Sequence, residues 1–299
     1  MKFLLLGRNG QVGFQLRRAL APLGEVAAFD YPACDLAVPD SIRGVIDAVS
    51  PDVIVNAAAY TAVDTAETSP QLARAINSVA PGIIGAEAKK RGARVIHYST
   101  DYVYDGTKTT PYLETDETHP LGVYGLTKRD GDVALMESGA EHFVFRTSWV
   151  YGVHGANFLK TVLRLGAQRD KLNVVADQFG APTSAALLAD VTAQVVGQLR
   201  WRNPKEMPSG VYHVTASGET SWHGFAQAIL RGGVARRLTL KLQPEAVRAI
   251  PTSEYPLPAQ RPGNSRLDTS LFCRTFGLTL QPWQHGLDHV LDQLITNTP

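Results

Sequence analysis

The stretch Lys2-Phe-Leu-Leu-Leu-Gly7-Arg-Asn-Gly10-Gln-Val-Gly13 sets an unbroken apolar run against three evenly spaced glycines, and a helix-compatible segment, Phe14 to Leu23, follows. A continuous apolar run suits a strand covered on both faces, the habit of parallel sheets. A glycine turn between such a strand and a helix N-terminus offers backbone N–H groups and the positive end of a helix dipole to a pyrophosphate. The G-x-x-G-x-x-G spacing meets the commoner G-x-G-x-x-G fingerprint only in part, but its place directly after the strand weighs dinucleotide binding above a plain turn. The loop Gly7, Arg8, Asn9, Gly10 to Gly13 is therefore the first candidate cofactor site.

Outward from this loop, strand and helix patterns alternate. Glu25 to Phe29 reads as a second strand ending at Asp30, where a βαβ unit places the acid that holds a ribose hydroxyl. Asp40 to Val49 reads as a helix, and Val53 to Asn56 as a strand opening on Ala57-Ala-Ala59, whose small side chains suit either a close ligand or helix packing. Pro70 to Gly92 reads as one long helical segment, and Ala93 to Tyr98 as the next strand, ending at Ser99-Thr100-Asp101-Tyr102. Strand C-termini are where open parallel sheets bind ligands. His142 to Trp149 and Gly155 to Gln168 give another strand and helix. The expectation is an α/β fold with a doubly wound parallel sheet and a smaller C-terminal substrate-binding domain. Residues 1–150 would form the dinucleotide-binding domain, with later contributions from about 172–214, and 151–171 with 215–299 mainly the substrate domain. Leu187 to Leu199 and Trp222 to Leu230 read as helices, Gly210 to Val214 as a strand, and the proline-dense Pro244 to Pro262 as a cover or interdomain loop.

Tyr124-Gly-Leu-Thr-Lys128 carries the candidate chemistry. At this spacing on a helix, phenol and ammonium share a face, and a neighbouring cation favours the phenolate, lowering the tyrosine pKa towards working pH. Tyr104-Asp-Gly-Thr-Lys108 has the same spacing, but its Asp-Gly turn signal argues against a shared helix face. Tyr124 stands after Pro120 and before a helix-compatible run to Met136, although Gly122, Gly125 and Gly131 weaken that helix. Tyr124 at the opening of this helix can meet a hydroxyl from Ser99 or Thr100.

Composition leaves small-molecule chemistry as the expectation. Hydrophobic residues make up 44%, charged residues 19%, and the formal net charge is +1, which gives no ground for a disordered tail or a nucleic-acid-binding surface. The first apolar run stops at Gly7, too short for a signal-peptide core, and no segment is long enough to span a bilayer. Cys34 and Cys273 form neither a disulfide framework nor a metal spacing, which suits a reducing cytoplasm. His285 and His289 lie one helical turn apart with no third ligand, an ordinary helix face, so no metal site is expected.

Gly7, Gly10 and Gly13, then Thr100, then Tyr124 and Lys128 resemble the extended short-chain dehydrogenase/reductase superfamily, which is Rossmann-like. Asn56 to Asp64, Ser99 to Tyr104, Arg146 to Gly152, Asp177 to Thr183 and Arg261 to Leu267 look like its nucleotide-sugar reductases and spread over nearly the whole chain. The resemblance implies NADPH- or NADH-dependent reduction of the C4 ketone of dTDP-4-dehydro-L-rhamnose, for surface polysaccharide. It implies that Tyr124 donates the proton, that Lys128 lowers its pKa and holds the nicotinamide ribose, and that Thr100 bonds the reacting oxygen. Thr61, Val63, Asp101, Tyr102, Trp149 and Arg261 would bind the sugar nucleotide. Gln11, Val12, Asp30, Asp35, Leu36, Ala57, Ala58, Ala59 and Ser99 would join the glycine loop around the cofactor. Some members of the superfamily tie a homodimer together through magnesium held by carboxylates. Here the matching position is Gln15, a weaker ligand for a hard cation, which puts metal and dimer in doubt.

Two rivals remain. A dehydratase or epimerase would share fold, Tyr and Lys, but dehydratases resembling this chain place an Asp-Glu pair after the strand-end Thr, where this chain has Asp101-Tyr102. A regulatory subunit of methionine adenosyltransferase also resembles the chain, yet a binding module has no need of Thr100, Tyr124 and Lys128 together. On cofactor choice, Asp30 can accept from ribose hydroxyls and favours NADH, whereas Arg8 can pair with the extra phosphate of NADPH.

Overall fold

The computed structural model describes residues 1–296. Its centre is a parallel sheet of six strands, ordered Gly210–His213, β5 (His142–Thr147), β4 (Arg94–Thr100), β3 (Val53–Asn56), β1 (Lys2–Leu6) and β2 (Glu25–Phe29). Alternate residues of each strand enter opposite cores, as the pleat requires. Phe3 and Leu5 pack with Val53, Phe145 and the helices α1 (Gln11–Leu20), α8 (Ala185–Gln198) and α10 (Ser270–Phe276). Leu4 and Leu6 pack with Ile54 and Val144 under α2 (Pro39–Val49), α5 (Ala80–Arg91) and α6 (Val123–Glu137). Both faces are thus covered, which is why the strands read as continuous apolar runs.

A second core lies outside the sheet. It gathers Leu159 and Val162 of α7 (Phe158–Gln168), Phe225 and Ile229 of α9 (Trp222–Ala235), Val290 and Leu291 of α11 (Trp283–Thr296), and the parallel pair Leu172–Val175 with Val247–Ile250. The proline-dense stretch supplies one strand of that pair and then crosses back to the sheet module. Arg261 binds the Asp64 carboxylate of the short α3 (Val63–Ala66) at 2.8 Å.

The single helix expected over 70–92 is in fact α4 (Pro70–Arg74), a wider π turn over Ala75–Val79, and α5. Pro81 explains the interruption. It has no N–H to return to the Asn77 carbonyl, so the regular ladder opens there. The freed segment is used, because the Asn77 side chain holds the backbone of Tyr60 from both sides (2.8 and 3.0 Å) and donates to Thr127 of α6 at 3.3 Å. This fixes the loop after β3 against the helix that carries Tyr124.

Candidate active site

The C-terminal ends of β1, β3, β4 and β5 open into a cavity of about 610 Å³. The glycine loop forms one wall. Gly7 has φ +85, and a Cβ there would stand 2.6 Å from the Ala58 nitrogen, so the loop and the alanines after β3 approach as only glycine allows. Gly13 does not face the cavity; it packs against the Gly7 carbonyl, where a Cβ would lie at 1.9 Å. Gly10 caps α1 with Asn9, Gln11 and Val12 beside it on the cavity wall. Asp30 accepts from the backbone N–H groups of Asn9 and Tyr31, both at 2.9 Å, and so holds the loop as well as facing the cavity. Ala57, Ala58, Ala59, Thr61 and Val63 continue the wall.

Besides Gly13, three expected cofactor residues stand elsewhere. Leu36 is buried in the core under α2, because an apolar side chain in that turn is better placed against Ile42 and Ile46 than in water. Asp35 caps its own turn, accepting from Ala37 N at 2.9 Å, while its N–H goes to the Ser41 hydroxyl. Arg8 is exposed and donates to the Ala28 carbonyl at 3.2 Å, on the outer side of the loop. Of the substrate residues, Arg261 lines a neighbouring cavity of about 700 Å³, with Gln178, Tyr255 and the apolar face of α7; Trp222 borders both cavities.

The reacting corner is built by β4 and α6. Thr100 and Asp101 are buried at the strand end, and Tyr124 and Lys128 project from the first turns of α6. The Thr100 hydroxyl donates to Asp101 Oδ1 at 3.0 Å and lies within hydrogen-bond reach of Tyr124. Burial pushes the Tyr124 phenol above its ordinary range, and Thr100 offsets only part of this. The lowering expected from Lys128 is not seen. Its ammonium is turned to the Tyr98 carbonyl (2.7 Å) and His97 Nε2 (3.1 Å), and burial brings it down to about 8. Tyr124 therefore keeps its proton over the ordinary pH range, the state an acid in a reduction must have. Burial also raises Asp101 to about 6, and its Oδ2 has no hydrogen-bond partner among the described residues.

Tyr102 meets Tyr124 edge-on, ring centres 5.7 Å apart. Trp149 sits in the left-handed region at φ +50 and stacks on Trp222 at 3.7 Å, with Gly180 directly beneath it. Trp222 comes from the second module and carries no motif, so nothing in its local sequence marks it. Tyr104 and Lys108 do not pair. Tyr104 is buried against Arg146 and His213, both at 2.8 Å, and Lys108 binds Asp116. Gln15 lies on α1, away from this corner, and among the described residues no three His, Cys, Asp or Glu side chains are grouped to hold a metal ion.

Comparison with known proteins agrees with this architecture. The family model for the RmlD substrate binding domain matches residues 1–296. The dTDP-4-dehydrorhamnose reductase of Shigella flexneri is 48% identical, covering all of this chain and 99% of that protein. The solved structure of the Clostridium acetobutylicum dTDP-4-dehydrorhamnose reductase superposes with a TM-score of 0.89 at 34% identity, covering 99% of this chain and all of the other. That of the Bacillus anthracis enzyme, solved in complex with NADP, gives 0.87 at 31% identity over 98% of this chain and all of the other.

Proposed function

Because the chain belongs to the dTDP-4-dehydrorhamnose reductase family, we propose that it reduces the C4 ketone of dTDP-4-dehydro-L-rhamnose to the alcohol, giving dTDP-L-rhamnose, with a reduced nicotinamide cofactor. The observation that carries the reading is the meeting of Thr100 and a protonated Tyr124 in the cavity whose opposite wall is the glycine loop. The cradle formed by Gly7 against Ala58 fits a pyrophosphate, since its backbone approach admits no side chain. When bound, the cofactor supplies the hydride.

The residues of the chain supply the rest. Thr100 and Tyr124 hold the ketone oxygen between two hydroxyls, and Tyr124 passes its proton to that oxygen as the new C–H bond forms. Lys128 holds a polar anchor beneath them for the nicotinamide ribose. Trp149, Tyr102, Thr61 and Val63 surround the sugar, and the adjoining cavity lined by Arg261, Gln178 and α7 gives room for the nucleotide. Asp101 is the one carboxylate at the strand end, and Tyr102 cannot act as the second group that elimination of water would require. No helix among the described residues is long and apolar enough to cross a membrane. Incubation with NADPH and the 4-keto sugar nucleotide should oxidise the cofactor in step with formation of the dTDP-linked deoxysugar; no oxidation with either reduced cofactor overturns the assignment.

Both NADPH and NADH are expected to serve. The Arg8 guanidinium stands outside the cavity, on the Ala28 carbonyl of β2 at 3.2 Å, and would have to leave it to pair with a 2′-phosphate beside Asp30. Arg8→Ala should weaken NADPH selectively; an equal loss with both cofactors would assign Arg8 to the loop instead.

A further inference from the structure

The strand and helix that carry Thr100 and Lys128 bury a histidine, His97, to which the reduction itself assigns no role. His97 and Lys128 are each 1% exposed, and His97 is wedged between two nitrogen donors. Its Nδ1 lies 3.1 Å from Asn56 Nδ2, and its Nε2 lies 3.1 Å from Lys128 Nζ. The Asn56 amide is oriented by the chain, because its Oδ1 accepts from the Ala58 backbone N–H at 3.2 Å. A neutral imidazole accepts at one nitrogen and donates at the other, so it cannot accept from both partners. Protonating the ring would make matters worse, since both nitrogens would then face donors.

The conflict has two solutions, which differ by one proton on Lys128. With Lys128 as the free amine, His97 carries its proton on Nε2, donates to Nζ, and accepts from Asn56. With Lys128 as the ammonium, Nζ donates to an unprotonated Nε2, the ring proton moves to Nδ1, and the Asn56 amide turns to accept it, giving up Ala58. The charged and titratable groups around the pair are few. Asp132 of α6 places Oδ1 3.9 Å from His97 Nε2 with no hydrogen-bond partner among the described residues. Its other oxygen is held by Ser99 (2.8 Å) and Arg146 (3.1 Å). Lys128 Nζ also donates to the Tyr98 carbonyl at 2.7 Å.

We propose that His97 is a positioning residue for Lys128 that follows the charge of the lysine by changing tautomer, linking that charge through Asn56 to the Ala58 edge of the cofactor cradle. The lysine then keeps a good hydrogen bond on this side in both of its charge states. Burial keeps His97 neutral, far below its ordinary range, so the ring itself never competes for the charge. The mechanistic use of this device rests on the reductase reading, but the device is measurable without it.

Nitrogen-15 labelling of the histidines in the whole protein, with long-range proton correlation, reports which ring nitrogen is protonated. The His97 signals are identified by their loss in His97→Gln. His97 should be protonated on Nδ1 at about pH 6.5 and on Nε2 at about pH 9.5, with a midpoint close to that of Lys128. A tautomer that stays the same across that range overturns the proposal, whatever the activity assay gives. In kinetics, Gln at position 97 can present its amide oxygen near the Nε2 position and Asn near Nδ1. His97→Gln should retain turnover better than His97→Asn by about tenfold, the scale of a lost hydrogen bond to a charged group. The basic limb of the pH profile of kcat should also move in His97→Asn. Equal losses with an unmoved profile would reduce His97 to a packing residue.

Discussion

At the scale of single residues, the proton and its donor are the centre of the argument. Tyr124→Phe should fold and bind cofactor but lose turnover by roughly two or more orders of magnitude. Tyr104→Phe is the contrasting variant. It removes the hydroxyl that joins Arg146 to His213, so stability should fall by roughly 1–3 kcal/mol while kcat changes little. Loss of activity in Tyr104→Phe with retention in Tyr124→Phe would place the chemistry in the wrong pair. Asp101 gives a prediction whose sign follows from linkage. Its carboxyl is raised from 3.8 to about 6, so the folded state binds the proton more tightly than the unfolded chain. The contribution to stability is fully present below the ordinary carboxylate value and is lost as pH rises through about 6. Asp101→Asn cannot ionise and keeps an acceptor for Thr100. Relative to the parent it should gain stability between about pH 4 and about pH 7, on the order of 2 kcal/mol. Equal melting temperatures of parent and variant shifts across that range would show that Asp101 does not carry the change.

At the scale of elements, α6 shows how packing overrides propensity. Gly125 and Gly131 count against a helix when only intrinsic preference is considered, and a Gly→Ala change in an exposed helix would gain about 1 kcal/mol. Here a Cβ at Gly131 would meet the Asn77 carbonyl at 1.9 Å, and one at Gly125 the Tyr102 carbonyl at 2.1 Å. Both glycines let α6 lie directly on backbone, which brings Tyr124 down to Thr100. Gly131→Ala should therefore destabilise by roughly 1–3 kcal/mol in urea titration, and lower kcat as α6 lifts. A stabilised variant would mean that the contact relaxes freely. The π turn over Ala75–Val79 belongs to the same lesson. Pro81 is visible in the sequence as a helix irregularity, but which carbonyl it frees and what packs there depend on the opposing helix.

At the scale of the whole molecule, the sheet core and the second core meet along the cavities. Trp222 of α9 stacks on Trp149, and Arg261 reaches from the C-terminal stretch to Asp64, with Ala259 N also bound to that carboxylate at 3.2 Å. Asp64→Asn should raise KM for the sugar nucleotide several-fold through a loosened wall, while the dissociation constant for NADPH stays put. An unchanged KM would leave the pair as surface decoration, the usual worth of a partly exposed ion pair. What the chain order alone determined was the periodic part of the protein. Apolar strands, a glycine turn and a Tyr-Lys pair are local patterns, set by pleat, backbone freedom and helical pitch, and they led to the sheet, the cradle and the helix that carries Tyr124. The tertiary structure alone decided which groups share a site. Leu36 went to the core and Asp35 to its own turn, Trp222 arrived from beyond residue 215, and Lys128 turned to His97 and the Tyr98 carbonyl. Burial and partner distance govern each of these choices, and both depend on residues remote in sequence. The same burial raises the Tyr124 phenol, where local spacing pointed to a lowered pKa.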